Sequence, residues 1–283
     1  MTDKKKETYN RLPRNFHKTF IPERQYLHAM LHFAARGSSG DIQAIAAETG
    51  IPTGASSGKV APILDYCRGM GLILLPEGRS AVKKPELTPF GRVVLLEDPF
   101  LKEPLTQWLA HLQLCDIYNG AETWYQTFFN GSVRLGMEFR RDTLEDWLAS
   151  SYNASRGGLI GPLVRMYEDD SSFRVCGVLR ENNEKISRKV APVKEEFAFG
   201  YGAWFISMME TIARMGSQVT IAELEEKCGW RTIAGWNLME SQRVLELIER
   251  KGVLTVDRHM TPWILRARET AASLWRKIYN ELI

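Results

Sequence analysis

Seven side chains between positions 56 and 84 are of the types that bind a polyanion. Lys59 and Arg68 stand nine positions apart with Asp65 as the only acid between them, Ser56 and Ser57 precede them, and Arg79, Lys83 and Lys84 follow. Lysine and arginine neutralise phosphates and release condensed counterions, while hydroxyls hydrogen-bond to the backbone or to base edges. The cluster therefore predicts contacts that are mainly to phosphate, with Ser56 and Ser57 placed to reach base edges or backbone.

Other chemistry-bearing clusters are weaker. His28 and His32 have the i, i+4 spacing of a metal pair, but no further ligand and no H-E-x-x-H accompanies them. Glu168-Asp169-Asp170 is a run of consecutive acids, which seldom converge on one ion; a solvated turn is expected. Glu225-Glu226-Lys227 spells the E-x-K of some nucleases but falls within a predicted helix. Gly54-Ala55-Ser56-Ser57-Gly58-Lys59 lacks the spacing of a phosphate loop, and there is no G-x-S-x-G. Cys67, Cys115, Cys176 and Cys228 are dispersed without a C-x-x-C pair, which predicts reduced, buried thiols of a cytoplasmic protein rather than a zinc site. The expectation is a non-enzymatic chain with no metal and no cofactor.

The totals agree with that class. The chain has 283 residues, enough for about two domains. Its net charge of +3 and pI near 8.6 permit nucleic-acid binding without demanding it. No stretch approaches the roughly 20 apolar residues of a membrane span, and the start lacks the apolar core of a signal peptide. Residues 1–24 hold seven basic residues against three acidic ones, which predicts either an arm that follows phosphates or a solubilising terminus.

The elements that must position the basic cluster form a helix-turn-helix with a β-wing. Leu27, Met30, Leu31 and Ala34 stripe a first helix, and Asp41 caps a second that Gly50 ends. After a turn rich in Gly, Pro, Ser and Thr, a helix begins near Lys59, because Pro62 is tolerable only in a first turn. Leu72 to Leu75 and Ala81 to Leu87 read as a hairpin tipped by Lys83 and Lys84, and Thr88-Pro89 opens another helix.

From Gly200 the pattern returns. Trp204, Phe205, Met208 and Met209 stripe a helix, Thr220 and Asn237 cap two more, and Gly252 precedes the strand Val253 to Val256. Thr261-Pro262 reads as the cap of a long closing helix, so the wing measures 17 positions from Gly71 to Thr88 but only 9 from Gly252 to Thr261. Between the two units lies an aromatic-rich helical stretch, Phe100 to Gly131, expected to be core rather than a base-stacking surface. It is followed by a hairpin turning around Arg180 to Glu184. The fold class expected is mainly α, with two winged helix-turn-helix domains flanking a helical middle region. The boundaries are a basic arm over 1–21, a first domain over 22–99, the middle over 100–199 and a second domain over 200–283. The second unit's helix carries Glu240, Glu246 and Glu249, so the first unit is expected to bind DNA. The second is expected to be a dimerisation or partner module, or to meet DNA only through Trp230, Arg231 and Arg258 at its edges.

Five blocks carry a resemblance: Phe16-His17-Lys18-Thr19-Phe20, Lys59-Val60 with Leu72-Ile73, Leu87-Thr88-Pro89-Phe90-Gly91-Arg92, Trp108 to Leu114, and Trp124 to Asn130. In their order the chain resembles domain-of-unknown-function family 4007, closely over the first half and more loosely beyond it. The departure lies at His17-Lys18, where an acidic residue commonly follows the histidine. The resemblance implies a bacterial accessory protein from neighbourhoods linked to DNA phosphorothioate modification, phage defence or mobile elements, and it supplies no catalytic residues. The function expected is a double-stranded DNA-binding subunit or adaptor with protein partners encoded nearby, homodimerisation being a further option. The alternatives are a protein–protein scaffold and a winged-helix transcriptional repressor.

Overall fold

The computed structural model describes residues 9–54, 58–76, 80–158, 160–212 and 218–282. The first unit comprises α1 (Arg24–Ala35), α2 (Ile42–Thr49), α3 (Val60–Gly69), β1 (Ile73–Leu74), β2 (Glu86–Leu87) and α4 (Pro89–Glu97). The middle comprises α5 (Pro104–Leu114), α6 (Glu122–Tyr125) running into a π-helical turn, α7 (Ser132–Leu135), β3 (Glu138–Arg140), α8 (Arg141–Tyr152), α9 (Gly161–Arg165), β4 (Leu179–Asn182) and β5 (Lys185–Arg188). The rest comprises α10 (Ala198–Ile212), β6 (Val219–Thr220), α11 (Ile221–Cys228), α12 (Trp230–Ala234), α13 (Leu238–Arg250), β7 (Leu254–Asp257), β8 (Ile264–Ala267) and α14 (Ala271–Trp275).

Local signals place the helices of both units. The Asp41 side chain accepts from the Ala44 N–H, that of Thr220 from Glu223, and that of Asn237 from Glu240 in a reciprocal capping box. Gly50 and Gly229 close α2 and α11 at φ of 70° and 61°, a conformation cheap only without a Cβ.

The two units share one strand order. In the second, β6 pairs with β8 and β8 with β7, all antiparallel. In the first, Gly40 forms an antiparallel bridge to Lys83, and β2 pairs with β1 through Ile73–Leu87 and Leu74–Glu86. In each unit the segment before the second helix lies beside the returning strand.

Thr261-Pro262 does not open a helix. It is a cis bond in the turn between β7 and β8, and the cap is Thr270, whose side chain accepts from Ser273 at the start of α14. The equivalent in the first unit is Thr88, which accepts from Gly91. From Gly252 to Thr270 is 18 positions, against 17 from Gly71 to Thr88. The hairpin segment of the second unit is therefore about as long as that of the first, and the closing helix is short. A Thr-Pro pair fits a helix start and a tight turn equally well; strand pairing settles which it is.

The middle region is core, as its helical spacing of aromatics implies. Trp108, Trp124 and Phe128 are buried, and α5 is enclosed from Leu105 to Leu112. Gly161-Pro162 opens the short α9, and Phe173 to Cys176 forms turns. The hairpin is β4–β5, with β3 as a third strand on β5. Arg188 is buried and has no carboxylate partner among the described residues. It donates to the carbonyls of Phe128 (3.3 Å), Thr232 (2.8 Å) and Ile233 (2.5 Å), tying the middle to α12. The two units meet directly where the Phe90 ring of α4 lies 4.6 Å from Trp275 of α14. Among the described residues no helix is long and apolar enough to cross a membrane.

Candidate nucleic-acid interface

The residues expected to touch DNA fall in three different settings. Ser56, Ser57 and Arg79 lie outside the described residues. Lys59 does not project to solvent: its ammonium pairs with the Glu23 carboxylate and sits 5.0 Å from the Tyr26 ring and 5.8 Å from that of Phe20. Arg68 faces a cleft of about 450 Å³ whose walls include Gln113, Asp116, Trp204 and Trp275, and it donates at 3.4 Å to the Asn10 carbonyl. Lys83 and Lys84 are the surface members. The Lys83 ammonium donates to the Ser80 carbonyl at 2.8 Å, and Lys84 is exposed.

The reason for the difference is the segment before α1. Residues 9–21 are not a loose arm but part of the core: the Asn10 and Leu12 N–H groups donate to the carbonyls of Tyr118 and Gly120, and Leu12, Phe16 and His17 are buried. This segment lies over α3. Leu12 packs so closely on Gly69 that a Cβ there would stand 2.6 Å from a Leu12 methyl. Phe16 meets the Tyr66 ring edge-on at 4.8 Å, and the Tyr66 hydroxyl donates to the Phe20 carbonyl. Two of the segment's described cations are used internally as well, while Lys18 is exposed: Arg11 pairs with Glu122 at 2.6 Å and lies over the Tyr125 ring, and Arg14 lies over Tyr152. As a result no residue of α3 is fully exposed. Uncovering it would expose at least Leu12 and Phe16, about 1.5–3 kcal/mol apiece, before Lys59 had left Glu23. Burial raises the Asp65 carboxyl above its ordinary range, opposed by the nearby charges of Arg68 and Lys83.

The corresponding helix of the second unit is uncovered. On α13 the apolar stripe Val244, Leu245 and Ile248 is buried, as its spacing predicts, and the opposite stripe is open: Leu238, Met239, Gln242, Arg243, Glu246 and Arg250. Leu238 and Met239 are 68% and 80% exposed, unusual for large apolar side chains. Two of the helix's acids are occupied. Glu240 accepts from the Asn237 N–H in the capping box; Glu249 accepts from the Val256 N–H and pairs with Arg258, each at 2.9 Å. Trp230 is buried, and Arg231 stands 3.9 Å from Glu225. Among the described residues Arg243 makes no hydrogen bond or ion pair. The signal for this stripe was in the chain, since the capping box already accounts for Glu240, but the role of Glu249 depends on the wing.

The four cysteines are buried and none forms a disulfide, and burial raises the Cys67, Cys115 and Cys176 thiols. His28 stacks on Phe100, and its Nδ1 lies 2.9 Å from the Pro99 carbonyl. Among the described residues no group of three or more metal-ligating side chains converges.

The architecture is thus that of a mainly helical chain with small antiparallel sheets, carrying a similar order of helices and strands near both ends, with α12 and β6 added in the second unit. Two solved crystal structures of SspB, one of them magnesium-bound, share this fold. Each aligns with a TM-score of 0.69 at 16% sequence identity, covering 95% of this chain and 88% of the SspB chain. No protein-family model and no curated protein matches the chain.

Proposed function

We propose that the chain is a non-enzymatic subunit or adaptor that binds double-stranded DNA in a bacterial defence, DNA-modification or transposition system. The observation that carries this reading is the order of three helices, a hairpin and a closing helix in the first unit and its recurrence, with the short α12 added, in the second, each with an edge segment paired to the returning strand. A winged helix-turn-helix has such an arrangement, and in that architecture a helix docks in the major groove with a wing beside phosphate. The exposed Lys84 and half-exposed Lys83 put positive charge on the first wing. The resemblance of residues 16–130 to domain-of-unknown-function family 4007 supports the bacterial setting and the link to DNA phosphorothioation.

Binding of a duplex measured across a salt series tests it. The Lys83→Ala/Lys84→Ala variant is expected to bind all sequences more weakly and to lower the salt slope by up to about 0.9 for each phosphate it no longer neutralises. An unchanged slope counts against the role of the wing. Failure of the natural protein to shift any duplex at moderate salt, with co-purification of a neighbouring gene product, replaces DNA binding with a scaffold role.

A further inference from the structure

The open stripe of α13 has the make-up of a surface that reads base edges. Met239 to Glu246 spans about 10 Å at 1.5 Å per residue, the length of about three base-pair steps at 3.4 Å each. Along it come an apolar side chain, a carboxamide, a guanidinium and a carboxylate. Those groups match, in turn, the thymine methyl, the adenine N6/N7 edge, the guanine O6/N7 edge and the cytosine N4 donor. Glu249 is ion-paired with Arg258, so the acids beside this stripe are Glu246, the capping Glu240 and Glu195, which lines the same groove; against them stand Arg243 and Arg250 on the stripe and Lys251, the partner of Glu195. Arg258, paired with Glu249 at 2.9 Å, stands beside the helix after β7.

We propose that α13, and not α3, is the helix that enters the major groove, with Gln242 and Arg243 on base edges and Leu238 and Met239 in apolar contact beside them. This rests on the duplex-binding reading above and assigns its sequence recognition to the second unit, leaving the first unit's Lys83 and Lys84 to hold phosphate. A protein partner fits the stripe less well. Two apolar side chains give little hydrophobic centre to an interface, and the remainder is polar and charged.

The test begins with selection of bound duplexes from a random library by the full-length natural protein. Affinities of Q242A/R243A are then measured on the selected duplex and on an unrelated one at fixed salt. Both residues are exposed, and an unchanged melting curve verifies folding. The expected result is a loss of at least tenfold on the selected duplex with less than a threefold change on the unrelated one. Selection that yields no preferred sequence, or a double variant that binds both duplexes as the natural protein does, overturns the assignment to α13 while leaving duplex binding intact. A natural protein that binds no duplex removes both readings. A double variant that changes from dimer to monomer in sedimentation, with duplex affinity unaltered, makes the stripe a protein interface and also overturns the assignment.

Discussion

The helices α3 and α13 occupy the same place in two units of the same strand order, yet one is enclosed and the other open. The cover over α3 does not come from the helices of its own unit. It is supplied by Leu12, Phe16 and Phe20, from the segment preceding α1. On the equivalent face of α13, Leu238, Met239, Gln242, Arg243 and Glu246 are exposed, with Val193 and Glu195 lining a groove along it. The composition of the two helices points the opposite way: α3 has the better ratio of basic to acidic residues, and α13 carries three glutamates. Charge counted along a sequence therefore does not tell which helix is open to solvent, since Lys59 is paired inside the first unit and Glu249 is paired with Arg258 in the second.

The largest expected effect separates cover from open surface. Phe16→Ala empties a buried ring site over α3 and is expected to lower unfolding free energy by about 3–5 kcal/mol, read by urea denaturation. Met239→Ala, at the matching exposed face, is expected to change it by less than about 0.5 kcal/mol. Equal costs would break the contrast. A middle effect sharpens the equivalence of the two wings: Thr88→Ala and Thr270→Ala each remove a helix cap and are expected to cost about 1 kcal/mol. Thr261→Ala, in the turn between β7 and β8, caps nothing and should fall within about 0.5 kcal/mol. A destabilisation at Thr261 matching that at Thr270 would restore the shorter wing.

The smallest effect is sought in pH. Burial lowers the pKa of His17 in the covering segment, partly offset by its backbone hydrogen bonds. The unfolded chain takes up this proton near the ordinary value of 6.5 and the folded one does so only at lower pH. The neutral ring's contribution is therefore complete above about 6.5 and is lost as pH falls below it. Thermal melting between pH 7.5 and 5.5 is expected to show a shallower decline for His17→Gln than for the natural protein. Parallel declines would place the titration elsewhere.

Much of the fold was legible locally. The stripes of α1, α10 and α13, the caps at Asp41, Thr88, Thr220 and Asn237, and the glycine stops each depend on residues within a turn of one another. The late part of the second wing was not, because the strand β8 is defined by its partners Val219 and Leu254 to Asp257 and not by its own short run. The candidate site was legible in part. Lys83 and Lys84 stand on the surface as their hairpin position implied. Lys59 does not, since Glu23, 36 positions earlier, takes its charge.

By itself, the sequence settled where α2, α4, α11 and α13 begin, and that a similar pattern of elements occurs twice, because capping, periodicity and turn chemistry act over a few residues. Which of the two equivalent helices meets solvent was decided only in three dimensions. Exposure depends on what lies above a face, and for α3 that covering comes from some fifty positions upstream, held there by burial of aromatic rings that no local pattern ties to it.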